Sequence, residues 1–302
     1  MPEVPGDEGE ATTSGGGVGR FVPGRQPSPH FVGRSRYRVA LRGEEASLKV
    51  ECYGGDGMIE GDDLDTVADR FVAHVRESHE HQYPEEALRN FARNFAEAVE
   101  RLTGGTERLA EIGEVSVHPV AGDRIDDWLR FFDFDGFAGN PDWASCFCLE
   151  PHDPAPEEMP ERPWRHIRAM MVDRLRTGGA FGYLAYADGK AVGWVNASSR
   201  AAYSAAYRLI DPDGPDPASV IGVSCFVVAP PYRRHGVAGA LLDHVLAEAA
   251  ARGAASVEAY PSKEPENSDG GHFRGPRSMY DARGFQPVEE REHDTVVRRP
   301  VP

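Results

Sequence analysis

The sequence predicts an α/β protein in which helices flank a central mixed sheet, preceded by a small hairpin-plus-two-helix α+β module. Three observations predict it. Val220–Val228 is an apolar run rich in β-branched residues, the mark of a buried strand. It passes through a small-residue loop into a helical pattern at Leu242, Val245, Leu246 and Ala249. Residues 181–187 and 191–196 are apolar stretches joined by Asp188-Gly189, a strong tight-turn pair.

Taken in order, residues 1–32 carry Gly15-Gly16-Gly17 and several prolines without apolar periodicity, which predicts a disordered tail. Alternation at 37–41, a turn at Arg42-Gly43-Glu44-Glu45 and a second run at 46–53 predict a hairpin. Asp62, Asp63 and Asp65 supply a cap and an acidic first turn for a helix through Leu64, Val67, Ala68, Phe71, Val72 and Val75. Pro84-Glu85-Glu86 opens another, with Ala87, Phe91, Phe95 and Val99 on one side and Gly104-Gly105 as its end. Residues 33–105 are therefore expected to be an accessory module, separable from a domain at 113–302. It either docks there or mediates self-association, as in a homodimer. His74, His79 and His81, near Glu77 and Glu80, are read as solvated helix-end histidines rather than metal ligands.

A strand is expected at 115–120 and a helix at 123–132, capped by Asp123. An aromatic, irregular stretch follows to Leu149, then a proline-rich loop at 151–163 and a helix at 164–176 ended by Gly178-Gly179. Residues 200–217 read as a long polar connection. Beyond the 220–249 strand and helix come a strand at 254–260, a loop at 261–275, a short helix at 276–283 and a closing strand at 295–301.

Composition bounds the partners. Forty-nine acidic residues against 33 basic leave a net charge of −16, which argues against nucleic acid because its phosphates would be repelled. Arginine supplies nearly all of the positive charge; Lys49, Lys190 and Lys263 are the only lysines. Such acid excess with few lysines resembles proteins of salt-loving archaea, where high salt screens the repulsion. Cys52, Cys146, Cys148 and Cys225 are scattered in apolar surroundings, so disulfides are not expected and a reducing cytoplasm fits. No apolar N-terminal stretch or membrane-length apolar run is present, which predicts a soluble intracellular protein with no membrane partner.

The loop after Val228 carries the chemistry. Pro230 and Pro231 end the strand, since proline cannot donate to a ladder. Arg233-x-x-Gly236-x-Ala238-Gly239 then leads into the helix, whose first N–H groups lack intrahelical partners and whose dipole is positive at that end. This is an anion site suited to a pyrophosphate. Gly236, Ala238 and Gly239 let a phosphate approach the backbone, and Arg233 and Arg234 add charge-assisted contacts.

The same residues, directly after Val228-x-Pro230-x-Tyr232, resemble the acetyl-CoA motif of the GNAT N-acetyltransferase superfamily. Ser278-Met-Tyr-Asp-Ala-Arg-Gly-Phe285 is similar to that superfamily's closing helix, usually Tyr-x-x-x-Gly-Phe. The resemblance covers 113–300 and is sharp from 220 to 286. It implies a GNAT-like, strongly twisted sheet with acetyl-CoA as cosubstrate, held by Phe226, Val227, Val228, Arg233, Arg234, His235, Gly236, Val237, Ala238 and Gly239. It implies that the backbone of 225–228 pairs with the pantetheine arm, that a splay of 257–260 opens the slot, and that an N–H near Phe226 polarises the thioester carbonyl. Tyr280 would be the general acid, since a phenol with a pKa of about 10 can donate to a thiolate of about 8.5. Trp143 and Asn196, with Asn140 and Trp194, would border the acceptor.

Some relatives carry a glutamate on the strand before the loop. Residues 221–228 hold no carboxylate here, and Gly222 sits near that place. Glu258 is the nearest acidic candidate for a general base; a water chain is the alternative. Cys146-x-Cys148 with His152 offers at most three zinc ligands, and buried strand cysteines such as Cys225 are usually inert, so packing roles are preferred. The expected activity is acetyl transfer to a small-molecule or peptide amine by direct attack in a ternary complex. The competing reading is a non-catalytic acyl-CoA-binding regulator with residues 33–105 as effector surface. An enzyme acting on aminoacyl-tRNA would need a basic stripe, and only short pairs such as Arg298-Arg299 are present.

Overall fold

The computed structural model describes residues 48–51, 57–79, 84–153, 162–204, 214–263 and 271–302. The 1–32 tail, the expected strand at 37–41, Cys52, Glu80 and His81 lie outside these. The hairpin pairs β1 (Leu48–Glu51) antiparallel with β2 (Met58–Gly61), a strand not expected from the sequence. α1 (Leu64–Ser78) is capped as expected: the Thr66 amide donates to Asp63 Oδ1 at 2.7 Å. It buries Val67, Phe71 and Val75 against Leu88, Ala92 and Phe95 of α2 (Glu85–Arg101).

The end of α2 corrects the expectation of a glycine stop. The helix closes at Leu102, which turns extended at φ −74° and ψ 95°. Gly104 instead permits a close approach. Its amide donates to the Phe134 carbonyl at 2.9 Å, and a Cβ there would lie 2.9 Å from the Asp135 Cα. α2 also reaches the second domain. Asn94 Oδ1 accepts the Trp164 amide at 3.1 Å, Glu97 accepts the Trp164 indole N–H at 2.5 Å, and the Arg101 guanidinium lies 4.2 Å from the Trp164 ring centroid. Ala98 packs into the same core as Trp128 and Trp164.

That domain holds β3 (Val115–Pro119), α3 (Arg124–Arg130), α4 (Trp164–Thr177), β4 (Gly182–Ala187), β5 (Lys190–Ser199), β6 (Val220–Val228), α5 (Val237–Glu248), β7 (Ser256–Ala259), α6 (Arg277–Asp281), β8 (Gln286–Glu290) and β9 (Thr295–Pro300). They form a seven-stranded sheet in the order β3-β4-β5-β6-β7-β9-β8. Only β6 and β7 run parallel, joined by the crossover α5. Side chains alternate between two cores. Leu184, Trp194, Cys225 and Val227 face the aromatic layer under α3 and α4. Ala185, Val195, Phe226 and Val223 face α5 and Tyr280.

Asp188 and Gly189 turn the β4–β5 hairpin at φ 51° and 76°, the left-handed pair that a tight turn requires. Other local expectations change. Asp123 is itself helical and makes no side-chain cap; α3 runs on into a π-helical turn at Phe131–Asp135. β8 has no apolar alternation to announce it, because it is an exposed edge strand. The connection after β5 is not simply polar. Arg200 and Tyr203 are each 1% exposed, and Arg200 Nη1 pairs with the fully buried Glu258 at 3.1 Å. Among the described residues no helix is long and apolar enough to cross a membrane.

Candidate active site

The site begins with a fault in the sheet. The β5–β6 register passes from Asn196↔Cys225 to Ala197↔Val223, so Ser224 is one residue too many. The β6–β7 pairing ends at Val223↔Ala259. A bulge bends a strand and strengthens its twist. Here bulge and parting coincide, and β6 continues from 224 to 228 without β7 beside it. A cavity of about 480 Å³ opens along that edge, lined by Ser224, Cys225, Phe226, Val227 and Val228.

One end of the cavity is cationic. Gly236 precedes α5 at φ 79° with no side-chain cap, and Gly236, Val237, Ala238 and Gly239 line the wall. The α5 amides therefore open into the cavity at the positive end of the helix dipole. Arg233 and Arg234 also line it. Arg233 is aimed by two contacts, Nε to the Val228 carbonyl at 3.0 Å and Nη2 to Asn140 Oδ1 at 3.4 Å. The Arg283 guanidinium clamps α6 to α5 through Asp243, at 2.6 and 2.9 Å, and holds the Asp243 carboxyl below its usual range.

The other end is apolar and aromatic. Phe137, Trp143, Cys146, Pro151 and Phe273 line it, and the Trp143 and Phe273 rings meet edge to face at 5.5 Å. Phe147 and Cys148 sit at φ 45° and 51°, which turns the Cys148 thiol onto Cys225, with Sγ–Sγ 3.0 Å. Burial pushes the Cys146 thiol up to about 12 and the Cys148 thiol well up too, so both stay protonated. Protonated, buried thiols are poor nucleophiles. Glu150 is the one carboxylate among the described residues lining the cavity.

The sequence-derived site residues divide. Trp143 and the 226–228, 233–234 and 236–239 stretches meet in this cavity. His235 does not line it: its Nε2 pairs with the Leu109 carbonyl at 2.9 Å. Asn196 does not either. It is fully buried, donating from Nδ2 to His152 Nε2 at 2.9 Å and accepting from Ser198 Oγ at 2.8 Å, so the acceptor role expected for it is corrected. Trp194 is fully buried core. Glu258 is no base for this cavity: it is 0% exposed, and its carboxylate accepts from Arg200, Arg298 and Tyr260.

Tyr280 lies behind the cavity wall. Its hydroxyl donates to the Arg274 carbonyl at 2.6 Å, and a Cβ added to the wall residue Gly275 would be 2.8 Å from that oxygen. Burial pushes its ionisation far up, so the phenol keeps its proton. The Phe226 amide, the expected carbonyl polariser, donates to the Phe273 carbonyl at 2.6 Å. Sequence reasoning missed Phe273 and Glu150, and gave Cys148 a packing role without placing it at the cavity. Phe273 sits in a Gly/Pro/charge-rich loop with no periodic signal. Glu150 could have been noticed as the lone carboxylate between Asp142 and Asp153 in an aromatic segment.

Residues 141–268 match the acetyltransferase (GNAT) family model. No curated protein matches the chain. Solved structures similar to it include an N-acetyltransferase from Staphylococcus aureus Mu50, 12% identical over 63% of this chain and 100% of its own, with a TM-score of 0.40. The GNAT domain of S. lividans PAT is 16% identical over 62% of this chain and 91% of its own, at TM-score 0.38. The PaiA N-acetyltransferase of Thermoplasma acidophilum, solved with coenzyme A, is 12% identical over 62% and 99%, at TM-score 0.37. The family match spans the bulged strand β6 and the uncapped start of α5, so residues 141–268 carry an acetyltransferase domain of the GNAT family.

Proposed function

We propose that the protein transfers an acetyl group from acetyl-CoA to an amine by direct attack in a ternary complex. The observation that carries this is the continuity of one cavity. It joins the uncapped α5 N-terminus, with Arg233 and Arg234, to the unpaired edge of β6 and then to an aromatic chamber. A pyrophosphate suits the first part. An extended amide-bearing arm suits the second, since a strand edge offers N–H and C=O groups in register. An amine suits the third.

The residues then divide the chemistry among them. The amides of 237–239 and the two arginines hold phosphate charge. The Phe226 N–H polarises the thioester carbonyl and stabilises the oxyanion. Glu150 draws the acceptor's ammonium into the chamber, and Trp143 and Phe273 pack its apolar body. The Tyr280 hydroxyl returns a proton to the departing thiolate. No carboxylate lies on β6 to take the amine's proton, so water in the open chamber takes it before attack.

Incubation with acetyl-CoA and a panel of primary amines, read as free thiol, tests the reading. Thiol release that depends on the amine is expected. Tight acetyl-CoA binding without release for any amine would favour the regulator reading. With an accepted amine, Glu150→Gln is expected to raise KM about tenfold, the scale of one lost charge contact, and to change kcat little.

A further inference from the structure

We infer that residues 273–274 form an internal strap that occupies the catalytic hydrogen-bond donors and that the pantetheine arm must displace it. The inference rests on the reading that acetyl-CoA fills the cavity.

Two successive carbonyls each take one donor. The Phe273 carbonyl accepts the Phe226 amide at 2.6 Å, and the Arg274 carbonyl accepts the Tyr280 hydroxyl at 2.6 Å. The first donor lies on the part of β6 that β7 has left, where any extended ligand arm would seek backbone partners. The strap thus behaves as a short added strand segment, pairing with the exposed edge of β6 in place of ligand. An unpaired buried N–H is costly, so the chain satisfies it from within.

The strap is held at several points, each of them releasable. The Phe273 ring meets Trp143 edge to face at 5.5 Å. The Arg274 guanidinium, 5% exposed, pairs with Asp294 at 2.7 Å. Behind the two carbonyls the chain turns at Gly275, φ 78°, whose amide donates to the His272 carbonyl at 2.8 Å. A left-handed glycine at this point lets the backbone swing without moving α6. Withdrawal of Phe273 uncovers the Phe226 amide, and the accompanying shift of Arg274 frees the Tyr280 hydroxyl behind Gly275. One movement exposes both the oxyanion donor and the proton donor, and only a ligand with an arm drives it.

The experiment separates the two halves of the cosubstrate. Coenzyme A carries the arm; adenosine 3′,5′-bisphosphate carries phosphates without it. Phe273→Ala weakens the strap. Coenzyme A is expected to bind the variant about fivefold tighter than the wild type, because the competent state is more populated. The bisphosphate is expected to bind both alike. Equal effects on the two ligands, or none on coenzyme A, would overturn the strap. A second measurement uses the unaltered protein. Ligands usually slow amide exchange where they bind. Here exchange at 273–275 is expected to quicken when coenzyme A is added, and slower or unchanged exchange there would overturn the inference. If neither ligand binds the wild type, the acetyl-CoA reading falls and the strap with it. If coenzyme A binds but 273–275 stays protected, only the strap falls.

Discussion

Arg233 Nε donates to the carbonyl of Val228, five residues earlier, at 3.0 Å. That bond closes the loop between β6 and α5 and points the guanidinium along the cavity. The strand end, the arginine and the helix start are thereby fixed as one unit.

The anion assignment of this unit is tested at Gly236. Gly236→Asp places a carboxylate at the open helix start and should weaken coenzyme A at least about tenfold, the scale of one charge-assisted contact reversed. Gly236→Asn is the control. It carries the same strain at φ 79°, a region asparagine tolerates, without the charge. Calorimetry at a fixed salt concentration should show the aspartate weakened and the asparagine much less so. Equal loss in both would point to backbone strain instead.

Tyr280→Phe keeps the ring and removes the hydroxyl that donates to Arg274. Turnover of an accepted amine should fall roughly 10²-fold where chemistry limits the rate, the scale of a lost general acid. The affinity for coenzyme A should hold or rise, because the strap loses an anchor. Full turnover in the phenylalanine variant would remove Tyr280 from the chemistry.

His152 makes a prediction about pH. It is 2% exposed, its Nε2 accepts from Asn196 and its Nδ1 donates to the Ala202 carbonyl at 3.1 Å. Burial holds its pKa down to about 4 against 6.5 in the unfolded chain. As pH falls below 6.5 the unfolded chain takes up a proton that the native ring refuses, so stability declines until pH 4 and no further. The loss over that window is about 3 kcal/mol. His152→Gln should remove this slope from thermal unfolding measured between pH 7 and pH 4; an unchanged slope would assign it to other groups.

The first module offers the fourth test. The 33–105 boundary predicts that a chain starting at Glu107 folds and binds acetyl-CoA. Asn94, Glu97, Ala98 and Arg101 nevertheless all bear on Trp164 and its surroundings. The shortened chain is expected to keep the cavity, which no described residue before Gly136 lines, but to melt lower. Each kcal/mol lost would show as about 2–4 °C in Tm. A shortened chain as stable as the whole would make the docked helix energetically idle.

Much of the site was readable along the chain because its determinants are local. A buried strand shows as an apolar run, and the two prolines stop it. A glycine that must adopt a positive φ before a helix marks the cationic end of the cavity, and Tyr280 stands at a fixed spacing from Gly284. Hairpin β4–β5 and helices α1, α2 and α4 were likewise announced by turn residues and by apolar spacing. Residues whose role depends on what lies opposite them were not readable. Asn196 and Trp194 alternate along β5 like any strand residues, and only the packing shows that one is spent on His152 and the other on the core. Glu258 reads as a base along the chain, yet Arg200, remote in sequence, neutralises it. Edge strand β8 carries no periodic signal because solvent, not a core, faces it.

The sequence alone therefore determined the fold class, the glycine-marked turn before α5 and the two GNAT-like motifs, since each depends on residues within one or two turns of each other. The tertiary structure decided where β6 and β7 part, which carboxylate lines the aromatic end of the cavity and which carbonyl holds the Phe226 amide. Those are contacts between distant segments, set by register, bulge and burial, and no local pattern encodes them.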